Sequence, residues 1–126
     1  MMTLPYGATV LEHFRRPRNQ RHLDRPTAVR DGYNPLCGDR VRIELDVSGD
    51  TIHDAAFTAN ACAICTASAS LLTERIRGLA VSVAAQLTDE ETITALATEL
   101  PDARRLCAIL PLRTLREALA GPQPTT

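Results

Sequence analysis

The sequence predicts an α+β fold, a small antiparallel three-stranded sheet with helices packed on one face. Three observations carry this expectation. Val41, Ile43, Leu45 and Val47 alternate with Arg40, Arg42, Glu44 and Asp46, a strict period of two that gives a strand one dry and one wet face. From Cys62 onward the apolar residues change to helical spacing. The order of elements is helix, strands, then helices, and the segments before Cys62 look like a hairpin rather than a βαβ unit.

The elements follow in order. Tyr6 to Arg16 carries Tyr6, Val10 and Phe14 at helical spacing, and Pro17 ends the run because proline cannot donate the next backbone bond. Arg18 to Pro26 is a connection rich in Arg and Pro, and six of the 14 arginines lie between Arg15 and Arg30. It reads as a solvated arm or as a docking surface for an acidic protein. Ala28 to Tyr33 is an edge strand, Arg40 to Val47 the central one. Ser48-Gly49-Asp50 turns the chain into a returning strand, Thr51 to Thr58. Ala63 to Arg77 is a helix stopped by Gly78, and its small residues Ala67, Ser68, Ala69 and Ser70 allow a close approach to the sheet. Thr88-Asp89-Glu90-Glu91 is a capping-box pattern opening a helix that runs to Pro101. The last helix has Ala108, Leu112, Leu115 and Leu119 in register, with Pro111 placed in its first turn and Gly121-Pro122 at its end. Residues 1–121 are thus expected to form a single domain, and 122–126 a short tail.

Composition narrows the chemistry. The chain has 126 residues, 44% of them hydrophobic, enough for a core without disulfide staples. Aromatics are 3%, with no Trp, which argues against stacking platforms for bases or sugars. A net charge of −1 argues against general binding to nucleic acid or an anionic membrane. All 14 basic residues are Arg, so a P-loop lysine and Schiff-base catalysis are excluded. No apolar run approaches the ~20 residues of a membrane span, and Met1 to Tyr6 carries no export signal. A cytoplasmic location is expected.

In a reducing compartment the four cysteines, Cys37, Cys62, Cys65 and Cys107, read as metal ligands or redox groups before structural bridges. Three of them fall at chain junctions. Cys37 lies in the loop before the strong strand, Cys62 joins a strand to a helix, and Cys107 just precedes the last helix. Helix N-termini favour thiolate, the form that ligates metal or attacks sulfur, over the thiol of an unperturbed Cys near pKa 8.5. Three sulfurs and one further ligand complete a tetrahedral zinc site, or the protein half of a two-iron cluster. Asp39 is the natural fourth candidate, although Asp beside Gly38 is also a common turn residue. A carboxylate among thiolates makes a more labile site, useful in a protein that gives its cofactor away. Cys62-Ala63-Ile64-Cys65 also admits a redox dithiol reading, which leaves Cys37 and Cys107 without a role. His13, His22 and His53 read as surface residues.

The motifs then match a family. Asn34-Pro35-Leu36-Cys37-Gly38-Asp39-Arg40 resembles the first cysteine motif of the IscU, SufU and NifU-type iron–sulfur cluster assembly scaffolds. Phe57 to Ser70, with Ala61-Cys62-Ala63-Ile64, resembles the second, and Arg104-Arg105-Leu106-Cys107-Ala108-Ile109-Leu110 the third. Tyr6 to Asn19 is similar to the family's opening, so the resemblance covers nearly the whole chain. It implies assembly of a transient [2Fe–2S] cluster from iron and desulfurase-derived sulfur, and transfer to apo-proteins. It implies Cys37, Cys62 and Cys107 as cluster and sulfur-handling thiols, with Asp39 as the carboxylate that makes the cluster releasable. Zn2+ at the same site when cluster-free is also implied. The implied partners are a cysteine desulfurase, apo iron–sulfur acceptors and an iron donor, with no nucleic acid and no membrane.

Departures from the family pattern sharpen the expectation. IscU-type members carry His before the third cysteine, where this chain has Leu106, which cannot ligate. That strengthens Asp39 and makes a SufU-like zinc-dependent sulfurtransferase the alternative function. Yet Cys62 and Cys107 are 45 positions apart, an IscU-like spacing without the SufU insertion. Sulfur acceptance is expected at Cys107, with Cys37 as the second candidate. Ala61 replaces the usual Gly, so the backbone there must avoid positive φ. Cys65, outside the family's three, is expected to be a buried helix residue and dispensable.

Overall fold

The computed structural model describes residues 6–120; the expected end of the last helix at Gly121-Pro122 and the tail 122–126 lie outside them. Three strands, β1 (Ala28–Asn34), β2 (Asp39–Ser48) and β3 (Thr51–Asn60), form an antiparallel sheet in the order β1-β2-β3. The helices are α1 (Ala8–Arg15), α2 (Ala63–Ile76), α3 (Val81–Ala85), α4 (Asp89–Ala95) and α5 (Arg105–Ala120), the last preceded by a 3-10 turn at Asp102–Arg104.

The period-two pattern fixes which face is dry. Val41, Ile43 and Leu45 pair with Ala59, Phe57 and Ala55 on β3, and Ile43, Leu45, Ala55 and Phe57 are completely buried. Helix α5 covers β1 and β2 on this face, α2 covers β3, and α1 packs against α2. Small residues on α2 permit the close approach, and Ser68 donates to the Ala108 carbonyl of α5 at 2.6 Å. Gly32 is needed where α5 crosses β1, because a Cβ there would sit 2.0 Å from the Thr114 hydroxyl. The opposite face carries Asp31, Tyr33, Arg40, Arg42, Thr58 and Asn60 around an open groove of about 480 Å3.

The Arg-rich connection is an ordered edge of the sheet. Phe57 N–H donates to the Asn19 carbonyl and Arg21 N–H to the Phe57 carbonyl, so 19–21 closes part of the outer edge of β3. Arg18, Arg21 and Arg30 turn to this chain's own Glu12, Asp54 and Glu117.

Several expectations are corrected. Glu44, expected in water, is 3% exposed because the folded-back connection covers it, and its carboxylate accepts from the Leu23 N–H, contacts His22 Nδ1 and accepts from Arg42. His13 is buried with Nδ1 2.7 Å from the Ser70 hydroxyl, and burial followed by the nearby Arg18 cation lowers its pKa. The capping box at Thr88 is present, but α4 stops at Ala95 because Ala97 turns to φ 51. Helix α5 begins at Arg105, so Pro111 lies inside it rather than in its first turn. The short α3 has no clear signal in the sequence.

The buried Glu44 supplies a pH test of the fold. Burial alone would raise its pKa, but the bonds to His22, Leu23 and Arg42 outweigh this and hold it below the usual carboxylate range. Its stabilisation is therefore present above the unfolded-state pKa and lost as pH falls through the depressed folded value. Glu44→Gln should lower unfolding free energy by about 1–3 kcal/mol at neutral pH. Urea titrations of both proteins should show that gap shrinking in acid; an unchanged gap would remove Glu44 as its source.

Candidate metal and sulfur site

Four side chains meet at one end of the sheet, each delivered by a different local rule. The loop between β1 and β2 is a tight turn. Leu36 N–H donates to Asn34 Oδ1 at 3.1 Å and Gly38 N–H to the Asn34 carbonyl at 2.8 Å. Gly38 has φ 78 with open space where a Cβ would lie, so glycine is needed there for backbone conformation alone. The turn holds Cys37 exposed at its tip and lets β2 begin at Asp39, whose side chain lies on the helix-covered face and is 4% exposed.

Cys62 is the N-cap of α2 with extended backbone, φ −68 and ψ 170, and Ala61 is not among the residues of positive φ, as its side chain requires. Cys62 does not cap the helix with its own side chain. Instead its N–H donates to Asp39 Oδ1 at 3.0 Å, and its Sγ lies 3.4 Å from Asp39 Oδ2. Cys107, expected just ahead of the last helix, sits within the first turn of α5 and is 1% exposed. Pro111 has no N–H to offer the Cys107 carbonyl four residues earlier, so ordinary helical bonding is interrupted at this residue.

The sulfurs of Cys37 and Cys107 are 3.5 Å apart. With a carboxylate oxygen of Asp39 they form a group whose ligand atoms all lie within 4.8 Å of one another, and Cys62 joins through Asp39. Tetrahedral zinc with thiolate bonds near 2.3 Å sets sulfurs about 3.8 Å apart, so Cys37 and Cys107 with Asp39 fit such an ion with little movement, while Cys62 lies outside that compact group and touches it through Asp39. The structure thus brings together Cys37, Asp39, Cys62 and Cys107, and keeps Cys65 apart, wholly buried in α2. Leu106 is half-buried at the rim, and His13, His22 and His53 play no part in the cluster.

Electrostatics qualifies the helix-terminus argument. Burial pushes the Cys107 thiol up, and the adjacent Asp39 carboxylate and Cys37 add to the effect. A neighbouring cation would favour its thiolate form. For Asp39, burial pulls upward, but the Cys62 N–H and the thiols of Cys107, Cys37 and Cys62 hold its pKa below the ordinary value. Arg104 was not singled out from the sequence. Interaction with the neighbouring Cys107 and Cys62 sulfurs raises the Arg104 pKa; its position three residues before Cys107 is the signal that marks it in the sequence. At the rim, Leu36 is 83% exposed, and Tyr33, Leu106, Leu110 and Arg113 line a hollow of about 220 Å3 beside it. Among the described residues, no helix is long and apolar enough to cross a membrane.

Known proteins are similar to this chain in sequence and fold. The model of the NifU-like N terminal domain matches residues 5–122. The iron-sulfur cluster assembly scaffold protein IscU of Aquifex aeolicus is 33% identical over 120 residues, covering 94% of this chain and 76% of that protein. The zinc-dependent sulfurtransferase SufU of Bacillus subtilis is 38% identical over 79 residues, 63% of this chain and 53% of that protein. The bifunctional protein NifU/MnmA of Rubrobacter xylanophilus is 36% identical over 114 residues, 90% of this chain but 23% of that protein, so the chain spans only part of these last two relatives. A crystal structure of a putative scaffold protein for the SUF system from Fervidobacterium islandicum superposes with a TM-score of 0.76 at 24% identity, covering 90% of this chain and 96% of that one, and shares the fold. Sequence and architecture agree, and the chain belongs to the NifU-like N-terminal domain family of iron–sulfur cluster assembly scaffolds.

Proposed function

We propose that this chain is a cytoplasmic scaffold that accepts sulfur from a cysteine desulfurase, assembles a labile [2Fe–2S] cluster with iron from a donor, and passes it to apo-proteins. The observation that carries the reading is the convergence of three thiols and one carboxylate, from two loop or strand ends and two helix starts, at an edge where one thiol is exposed. Iron and sulfide are substrates here, and the cluster is cargo.

The side chains divide the work. Cys37 and Cys62 are the accessible thiols, so an incoming persulfide meets Cys37 before the buried Cys107, reversing the preference drawn from the sequence. Cys107 closes the site from beneath, and Arg104 beside it balances negative charge on sulfur. Asp39 holds Cys62 by its N–H while offering its other oxygen to the site. A hard carboxylate among soft thiolates gives the arrangement its weak corner, where acceptor ligands displace it.

A second reading, a zinc-dependent sulfurtransferase, is favoured by the likeness to the Bacillus sulfurtransferase and by Leu106 at the place where a histidine would ligate. In that case Cys37, Asp39, Cys62 and Cys107 would hold Zn2+, which supplies thiolate stabilisation without redox change.

Anaerobic incubation of the metal-free protein with ferrous iron, cysteine and a cysteine desulfurase should give a sulfide-to-iron charge-transfer spectrum that Cys37→Ser and Cys107→Ser lose and Cys65→Ser keeps. Absence of that spectrum, with retained zinc and faster desulfurase turnover, would select sulfur transfer instead. Asp39→Ala should slow cluster delivery to an apo-ferredoxin by roughly an order of magnitude; equal or faster delivery would remove the lability argument.

A further inference from the structure

The two sulfurs in closest contact differ sharply in access. Cys37 Sγ and Cys107 Sγ are 3.5 Å apart, yet Cys37 is exposed and Cys107 is buried. We propose that, in the metal-free protein, Cys37 and Cys107 form an internal dithiol that reduces incoming persulfide sulfur to sulfide. The inference rests on the sulfur-accepting reading above.

The chemistry balances within the site. Cys37 Sγ attacks the terminal sulfur of the desulfurase persulfide. The Cys37 Sγ–S bond forms, the desulfurase S–S bond breaks, and the desulfurase cysteine leaves with the bonding pair and takes up the Cys37 proton, so Cys37 carries a persulfide, Sγ–SH. The Cys107 sulfur attacks Cys37 Sγ, the atom it already touches. A Cys37–Cys107 disulfide bond forms and the Sγ–SH bond breaks. Hydrosulfide leaves with the bonding pair and takes up the Cys107 thiol proton, departing as hydrogen sulfide. The terminal sulfur gains two electrons, and the two cysteine sulfurs supply them. Closing 3.5 Å to a disulfide bond of about 2.05 Å needs a small side-chain movement, which a loop-tip residue allows. Exposure of Cys37 gives the departing sulfur a path. A dithiol reductant of the thioredoxin class then restores both thiols, and only after that are both available to iron.

The other cysteine pair is less suited. Cys62 Sγ is turned to Asp39 at 3.4 Å, and Cys65 is wholly buried, without access to an incoming sulfur.

The test uses the full chain, stripped of metal by chelation and kept anaerobic. It is mixed with one equivalent of a cysteine desulfurase that carries its persulfide and has been freed of cysteine by gel filtration. The parent chain should release one sulfide per chain and end lighter by two hydrogens, with a disulfide mapped by peptide mass to Cys37 and Cys107. Cys107→Ser should retain one extra sulfur on Cys37, with sulfide release slowed roughly tenfold or more. A parent chain that holds a stable extra sulfur, or a disulfide mapped to Cys62 and Cys65, overturns the proposal while sulfur acceptance stands. If neither chain acquires sulfur or releases sulfide, the sulfur-accepting reading fails and the proposal falls with it.

Discussion

The carboxylate of Asp39 ties the start of a strand to the start of a helix. One oxygen takes the Cys62 N–H and the other faces the Cys62 sulfur, while the same residue lies against Cys37 and Cys107. A carboxylate that is 4% exposed carries a desolvation cost, met here by one backbone N–H and the surrounding thiols. Its position follows from the turn before it. With Gly38 at φ 78, the chain reverses tightly enough for Cys37 to stay at the tip while Asp39 points to the helix side of the sheet.

That arrangement makes a gradient of access across a few ångströms. Cys37 faces solvent, Cys62 is half-buried at a helix cap, and Cys107 lies under the first turn of α5 beside Arg104. Beside the exposed thiol Leu36 and Tyr33 project, and Arg113 lines the same hollow. Chemically similar thiols are thereby given different reach, and the rigidity of the sheet and two packed helices preserves the difference.

The dry face is also what keeps the site in register. Ile43, Leu45, Ala55 and Phe57 hold α2 and α5 against the sheet, and both helices begin at the end where the cysteines lie. Short segments at 19–21 and 78–80 close the outer edge of β3, so the sheet offers little unpaired backbone there.

The local patterns were legible in the sequence wherever a single element decided them. Alternation across 40–47 marked β2, the capping box at Thr88 marked the start of α4, and three cysteine motifs pointed to the candidate site. Where two distant segments meet, the sequence pattern misled. Glu44 has the alternation of a solvent residue but is buried by residues 22–23, which fold back over the sheet. His13 reads as surface but is buried against Ser70 of α2. Pro111 looked like a helix-start residue because propensity disfavours it inside, yet α5 is held by its packing on β1 and β2 and runs through it. Order and periodicity, set by neighbouring residues, determined the fold class and the donor types. Burial and separation depend on residues tens of positions apart, so tertiary packing alone decided that Cys37 is open, Cys107 is closed, and their sulfurs touch.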